Sequence, residues 1–424
     1  MIMTSEEIRQ KFLKFFETRG HKVVPSSSLV PTDPSVLLTT AGMQQFKDYY
    51  LEPALAERDF GSKNVVSIQK CFRTSDIDEV GDERHLTFFE MLGNFSFGNY
   101  FKEQAIKLSH EFITQELKLP IDHVTIFAGD EQVAKDEESK RIWESLGVTE
   151  IRECGRADNF WGPTGSEGPC GPTTEIYCKN SAGQEIEIWN LVFNEYYQSF
   201  AGSLKKLATP GVDTGLGLER LAMVAQGKAN IFETDLFAES LHVMPEVLDL
   251  KKKRILADHS RAVCFLINDG IKPNNKGAGY ILRRILRRIL AQFDLGVIKL
   301  AIDNTTAKFY KNHDLNRDEI WRVIEEEKNQ FIVALNLGMK ELNKLIDIDP
   351  KTAFQLYSSY GLPLDVIKDK FPDFDIVNFE QEFAKHQDIS RAGLEQKFVG
   401  GLANHEPKTI KLHTAHHLLL AALQ

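Results

Sequence analysis

Two arginines raise the question of chemistry. Arg73 closes the stretch "NVVSIQKCFR" (64–73), and Arg220 follows Glu219 inside "DTGLGLERLAMVAQ" (213–226). A guanidinium offers a planar fork of N–H donors that matches phosphate oxygens. Two such groups on separate elements suit a polyanion such as a nucleoside triphosphate, although an isolated arginine is more simply a surface salt bridge. A second set, His413 and His417 in "HTAHH", sits at i and i+4, the spacing of two zinc ligands on one helix face. Two histidines cannot close a tetrahedral site, so as they stand they read as ordinary helix residues. A third set is Arg283, Arg284, Arg287 and Arg288 in "GYILRRILRRIL". A solvated face of an amphipathic helix is the commoner meaning of such a stripe. Residues 251–290, however, carry eleven Lys/Arg against two Asp, including Lys272 and Lys276, and that excess points to RNA phosphates.

The elements that must position these groups follow from pattern. Thr4 and Glu7 make a capping box for a first helix carrying Ile8, Phe12, Phe15 and Phe16. Period-two alternation makes 64–73 a strand, and "HLTFFEML" returns antiparallel to it across an acidic loop, with Arg73 at the hairpin mouth. In "EIEIWNLVFNEYY" (185–197) alternation sets Ile186, Ile188, Asn190, Val192 and Asn194 on one face. From about 236 helical signals dominate, at 251–269, 278–293, 317–346, 352–369 and 376–398. The class is α+β followed by an all-helical region, with Gly400-Gly401 as a linker.

Composition narrows the function classes. The chain has 424 residues, a net charge of −10, 42% apolar residues and five cysteines. The charge excludes a uniformly basic DNA binder, and no apolar run reaches the ~18 residues that span a membrane. Unframed cysteines and the absence of an apolar leader lead us to expect a reducing, cytoplasmic setting. Cys154, Cys170 and Cys178 lack the paired spacing of a zinc site and read as buried thiols.

Several strings belong together. "FRTSDIDEVGDERHLTFFEMLGNFSFGNYF" and "VDTGLGLERLAMV" resemble the second and third signature motifs of class II aminoacyl-tRNA synthetases. "FFEMLGNFSFG", "DNFW", "GPCGP", "EIWNLVF" and "DTGLGLER" resemble, more narrowly, the alanyl-tRNA synthetase family. "SSSLVPTDPSVLLTTAGMQQFKDYYL" is similar to that family's first motif, and "GYILRRILRR" and "YGLPLD" to its tRNA-recognition region. The likeness runs from residue 5 to about 398 and resumes at 411–424.

The resemblance implies a class II antiparallel sheet of six or seven strands with flanking helices over 1–237. It implies a helical acceptor-stem recognition domain over 238–398, and a linker with the start of an editing domain over 399–424. It implies ATP and Mg2+ as cofactors, alanine and tRNA(Ala) as partners, and zinc only where a downstream editing region completes the site of His413 and His417. Arg73 would clamp the α-phosphate, and Arg220 would lie over the adenine or toward the terminal phosphates. Met91 and a phenylalanine, here taken as Phe95, would complete the ATP slot, with Glu175 a candidate magnesium ligand. Asp213 would hold the alanine ammonium, with Trp161, Asn190, Val192 and Gly215 around a pocket for one methyl group. For Trp161 and Val192, ordinary core packing is the favoured reading from periodicity alone. Asn275 and Asp365 would read the acceptor-stem G·U pair, flanked by the arginine stripe. The acidic hairpin loop is short for the family, and Leu86 stands where a histidine is often found. A monomer is expected for this chain. Two other readings stay open: an amino-acid-activating enzyme with a non-tRNA acceptor, and a non-catalytic tRNA-binding paralogue.

Overall fold

The computed structural model describes residues 3–33, 36–163, 165–309 and 315–382, so His413, His417 and the 399–424 segment lie outside the described residues. Nine strands are present among the described residues: β1 (Lys22–Val23), β2 (Asn64–Phe72), β3 (Phe88–Ser96), β4 (His123–Phe127), β5 (Ile151–Cys154), β6 (Phe160–Trp161), β7 (Gly168–Lys179), β8 (Glu185–Gln198) and β9 (Leu204–Gly217). Their order is β1-β2-β3-β9-β8-β7-β4-β5, with β6 paired to β7. Every pairing from β2 through to β4 is antiparallel, whereas β1–β2 and β4–β5 are parallel. The expected antiparallel sheet is therefore the centre of a mixed one.

The hairpin read from sequence forms with Asn64 opposite Ser96 and Phe72 opposite Phe88. Its alternation divides the phenylalanines. Phe88 and Leu92 enter the main core, where Ile8, Phe12, Phe15 and Phe16 of the helix Ser5–Glu17 also pack. That helix begins with the capping box expected at Thr4 and Glu7. Met91 and Phe95 pack in a second, smaller core with Met43, Phe46 and Tyr50.

The first compact unit runs from Met1 to Lys328, through the boundary read at 237/238. The reason is burial. The helix Leu250–Asn268 is buried at every position from Ile255 to Ile267, not along one stripe, and Phe265 stacks on Phe88 with centroids 4.4 Å apart. The second unit begins at Asn329. In it, the helix read at 352–369 is two helices, Pro350–Tyr360 and Leu364–Lys370. Gly361, at φ 68°, ends the first in the left-handed conformation that glycine adopts at little cost.

Candidate active site

A cleft open to solvent lies over β3, β8 and β9 at the start of the helix Leu218–Ala225. Arg73, Phe89, Met91, Gly215 and Arg220 line it, and the β2–β3 loop adds Arg84 and His85. Arg73 stands one residue beyond β2, where its N–H donates to the Thr87 carbonyl at 2.9 Å. Its guanidinium carbon lies 4.9 Å from the Phe89 ring centroid, and it forms no ion pair among the described residues. Arg220 is different. Its Nη1 donates to Glu187 Oε2 at 2.8 Å and to the Glu187 carbonyl at 3.1 Å. The Arg220 side chain is 43% exposed, and an exposed pair of this kind contributes about 1 kcal/mol at most, so an arriving phosphate can displace it.

Phe95 does not line this cleft. It shares a strand face with Met91, but the Gly42–Phe46 turn covers it, with the Phe46 ring 4.6 Å away, and it is 0% exposed. Phe89 is the phenylalanine at the cleft. Alternation left it undecided because Phe89, Met91 and Phe95 all share one parity.

Glu187 also reached the cleft unannounced. The β7–β8 register shifts between Ile176 and Tyr177, so that Trp189 pairs with Ile176 and Glu187 with Tyr177. Ile188 is the extra residue of this irregularity, which reverses the alternation that precedes it. Ile186 accordingly packs against the main core and not beside Asn190.

Beyond Met91 and Gly215, β8 and β9 carry a group of buried polar side chains. Val192 pairs with Asp213 and Asn190 with Gly215. Asp213 is 6% exposed, and its carboxylate has no partner among the described residues. Burial lifts its carboxyl to about 7. A buried carboxylate without a partner is costly, and such a group is a good candidate for receiving a cation. Asn190 donates from Nδ2 to Glu175 Oε1 at 2.9 Å, while its Oδ1 is buried and unpartnered. Trp161 Nε1 is buried and unpartnered too. Asn194 has both amide atoms in that state, a residue that alternation placed on the right face without assigning it a role. A Cβ at position 215 would lie 3.1 Å from Met91 Sδ, so Gly215 lets the Met91 side chain lie against the strand.

Glu175 does not fit a magnesium ligand. Its two oxygens accept from Asn190, from Tyr177 Oη at 2.9 Å and from Thr125 Oγ1 at 3.3 Å. Burial, and then the neighbouring Glu187, raise its carboxyl to about 7. It is a brace for Asn190. Among the described residues one group has metal-ligand spacing, Asp122, His123 and Glu185, but Lys179 and Arg152 already neutralise its carboxylates. Cys170 and Cys178 are buried free thiols, pushed up to about 11 and about 12 by burial.

The arginine stripe is not a solvated face. Arg283 and Arg287 both pair with the buried Glu327, at 3.2 and 2.8 Å, and Arg284 pairs with Asp78. Arg288 is 3% exposed and donates to the carbonyls of Ile77 and Val80, so burial removes it from any RNA surface. Asn275 Oδ1 accepts from Arg283. Asp365 stands in the first turn of the helix Leu364–Lys370, in the second compact unit.

The family model described as tRNA synthetases class II (A) matches residues 7–418. The chain is 38% identical to an alanine--tRNA ligase of Borrelia hermsii, over 100% of this chain and 79% of that protein. It is 40% identical to an alanine--tRNA ligase of Treponema pallidum, over 99% and 77% of the two lengths. It is 41% identical to one of Rubrobacter xylanophilus, over 93% of this chain and half of that longer protein.

Proposed function

The chain belongs to the class II tRNA synthetases (A), and from that premise we infer that it activates alanine with ATP and transfers it to the 3′ end of tRNA(Ala). One observation carries this reading. Two groups of opposite charge, Arg73 and Asp213, stand on neighbouring parts of one sheet face, and among the described residues neither has a charged partner of its own.

The division of labour follows from charge. Asp213 receives the alanine ammonium, and Asn190 Oδ1, fixed by Glu175, offers it a second acceptor. Val192 and Trp161 bound the space left for the methyl group. The alanine carboxylate then attacks the α-phosphate of ATP; the new bond is carboxyl oxygen to phosphorus, and pyrophosphate leaves with the old one. Arg73 neutralises charge on the α-phosphate as it develops, a positioning and electrostatic task that needs no proton transfer. Phe89 supplies a flat face at the nucleotide cleft, and Arg220 exchanges Glu187 for phosphate or base. Magnesium belongs to this reading as the counter-ion of ATP. In the second step a ribose hydroxyl of the terminal adenosine attacks the alanyl carbonyl, and AMP leaves. Residues 238–398 are the part we assign to acceptor-stem recognition, with Asn275 and Asp365 as the G·U readers.

The test is aminoacylation of tRNA(Ala) by the whole chain. Alanyl-tRNA(Ala) is the expected product. Pyrophosphate exchange without charging would favour a non-tRNA acceptor, and tRNA binding with neither activity would favour a non-catalytic paralogue.

A further inference from the structure

The loop between β2 and β3 brings Arg84 and His85 to the cleft and is flanked by Arg73 and Thr87. Two helices that contribute no residue to the cleft hold this loop from outside. Arg288, in the helix Gly277–Leu290, gives Nη1 to the Ile77 carbonyl and Nη2 to the Val80 carbonyl at 3.2 Å. Its Nη1 also lies 3.1 Å from His259 Nε2, and His259 Nδ1 lies 2.8 Å from Asp258 Oδ2. Asp258, fully buried in the helix Leu250–Asn268, accepts from the Thr87 N–H at 2.9 Å and the Thr87 hydroxyl at 2.5 Å. The Thr87 carbonyl in turn accepts from the Arg73 N–H at 2.9 Å. Polar contacts thus run unbroken from Arg288 through His259, Asp258 and Thr87 to the backbone of Arg73. Arg284, paired with Asp78, and Arg254, paired with Glu83 at 3.3 Å, hold the same loop nearer its surface.

A buried guanidinium and a buried carboxylate are poor choices for stability alone, because apolar side chains of similar volume often do as well. What they supply here is direction. Four of these bonds end on the backbone or hydroxyl of the one loop that must hold still for a triphosphate to be bound in line, and His259 ties the two helices' groups together. We propose that Arg288 and Asp258 are positioning residues of the nucleotide site, fixing the 74–87 loop so that Arg73, Arg84 and His85 face the cleft. Neither touches substrate. The proposal rests on the ATP-site reading above, and it assigns ATP handling, not alanine handling, to this contact chain.

The experiment is alanine-dependent ATP–pyrophosphate exchange by the whole chain, with KM and kcat measured separately for ATP and for alanine. The variants are Arg288→Gln, Arg288→Lys, Asp258→Asn and the milder Thr87→Val. For Arg288→Gln and Asp258→Asn the expected result is a rise of about tenfold in KM for ATP, with KM for alanine within about twofold of the parent. Arg288→Lys should recover part of the loss, because an ammonium can still donate to one loop carbonyl. Thr87→Val, which removes a single hydroxyl, should raise KM for ATP about threefold while lowering the melting temperature by only a few degrees. Folded variants with parental KM for ATP overturn the proposal. So does an equal loss toward both substrates that tracks the melting temperature. No exchange by the parent chain would overturn the ATP-site reading itself, and is thereby distinguished from a failure of the positioning role alone.

Discussion

One sheet offers two treatments of buried charge. On the helix side, Glu90 of β3 accepts from Arg9 at 2.7 and 2.6 Å and from Arg261 at 2.9 Å, and Arg261 also bonds Glu219 at 2.6 Å. On the cleft side, among the described residues, Asp213 on β9 has no partner, and Asn190 and Asn194 on β8 and Trp161 on β6 each bury an unsatisfied polar atom. The first set is complete as it stands. In the proposed reading the second set is completed by a ligand that carries an ammonium group. Trp189 Nε1, buried on the helix side, also lacks a partner among the described residues, so the contrast holds for the carboxylates and not for every polar atom.

The sharpest way to break the comparison is to remove one carboxylate from each side. Asp213→Ala should lower alanine-dependent pyrophosphate exchange by about a thousandfold or more, while the urea midpoint holds or rises. Glu90→Ala should do the reverse in kind. It leaves the buried cluster of Arg9, Arg261 and Glu219 with one excess positive charge and should lose about 3–5 kcal/mol of stability in urea unfolding. If both variants behave alike, the two sides are not different in purpose.

Next comes Arg73. Arg73→Ala should reduce exchange by about a hundredfold without changing KM for alanine, because its guanidinium faces the nucleotide cleft.

A smaller effect is carried by pH. Asp213 must be ionised to receive an ammonium, and burial lifts it to about 7. KM for alanine should therefore rise as pH falls below about 7, by up to about tenfold per unit. Stability moves the other way. Between the ordinary carboxylate range and about 7, the folded chain holds a proton that the unfolded chain releases, so this group's contribution falls as pH rises through that window. Asp213→Asn should flatten that part of the melting profile and raise the melting temperature at about pH 8 by a few degrees. A profile unchanged by the substitution removes Asp213 as its source, leaving Glu175 and Glu219, whose carboxyls burial also raises.

Much of this was legible in the amino-acid sequence. The β2–β3 hairpin and the capped first helix follow from alternation and a capping box. The polar set on β8 was visible as a period-two face. Three things were hidden. Phe89 and Phe95 have the same parity, and only the turn at Gly42–Phe46, distant in sequence, decides which ring is covered. The register shift at Ile188 turned Glu187 toward the cleft, and single residues added to a strand leave no periodic mark. The arginine stripe read as solvent-facing because its partners, Asp78, Glu327 and two loop carbonyls, come from other parts of the chain. Long-range partners of charge are what a local pattern cannot contain.

The central claim is that Asp213 is held unpaired for the alanine ammonium. Its most direct measurement is the number of protons released when alanine binds, from calorimetry in buffers of different ionisation enthalpy, with Asp213→Asn as the reference. The account predicts release of most of one proton at about pH 6, close to none at about pH 8.5, and no release by Asp213→Asn at either. Alanine binding without proton release at about pH 6, or with the same release by Asp213→Asn, would contradict it.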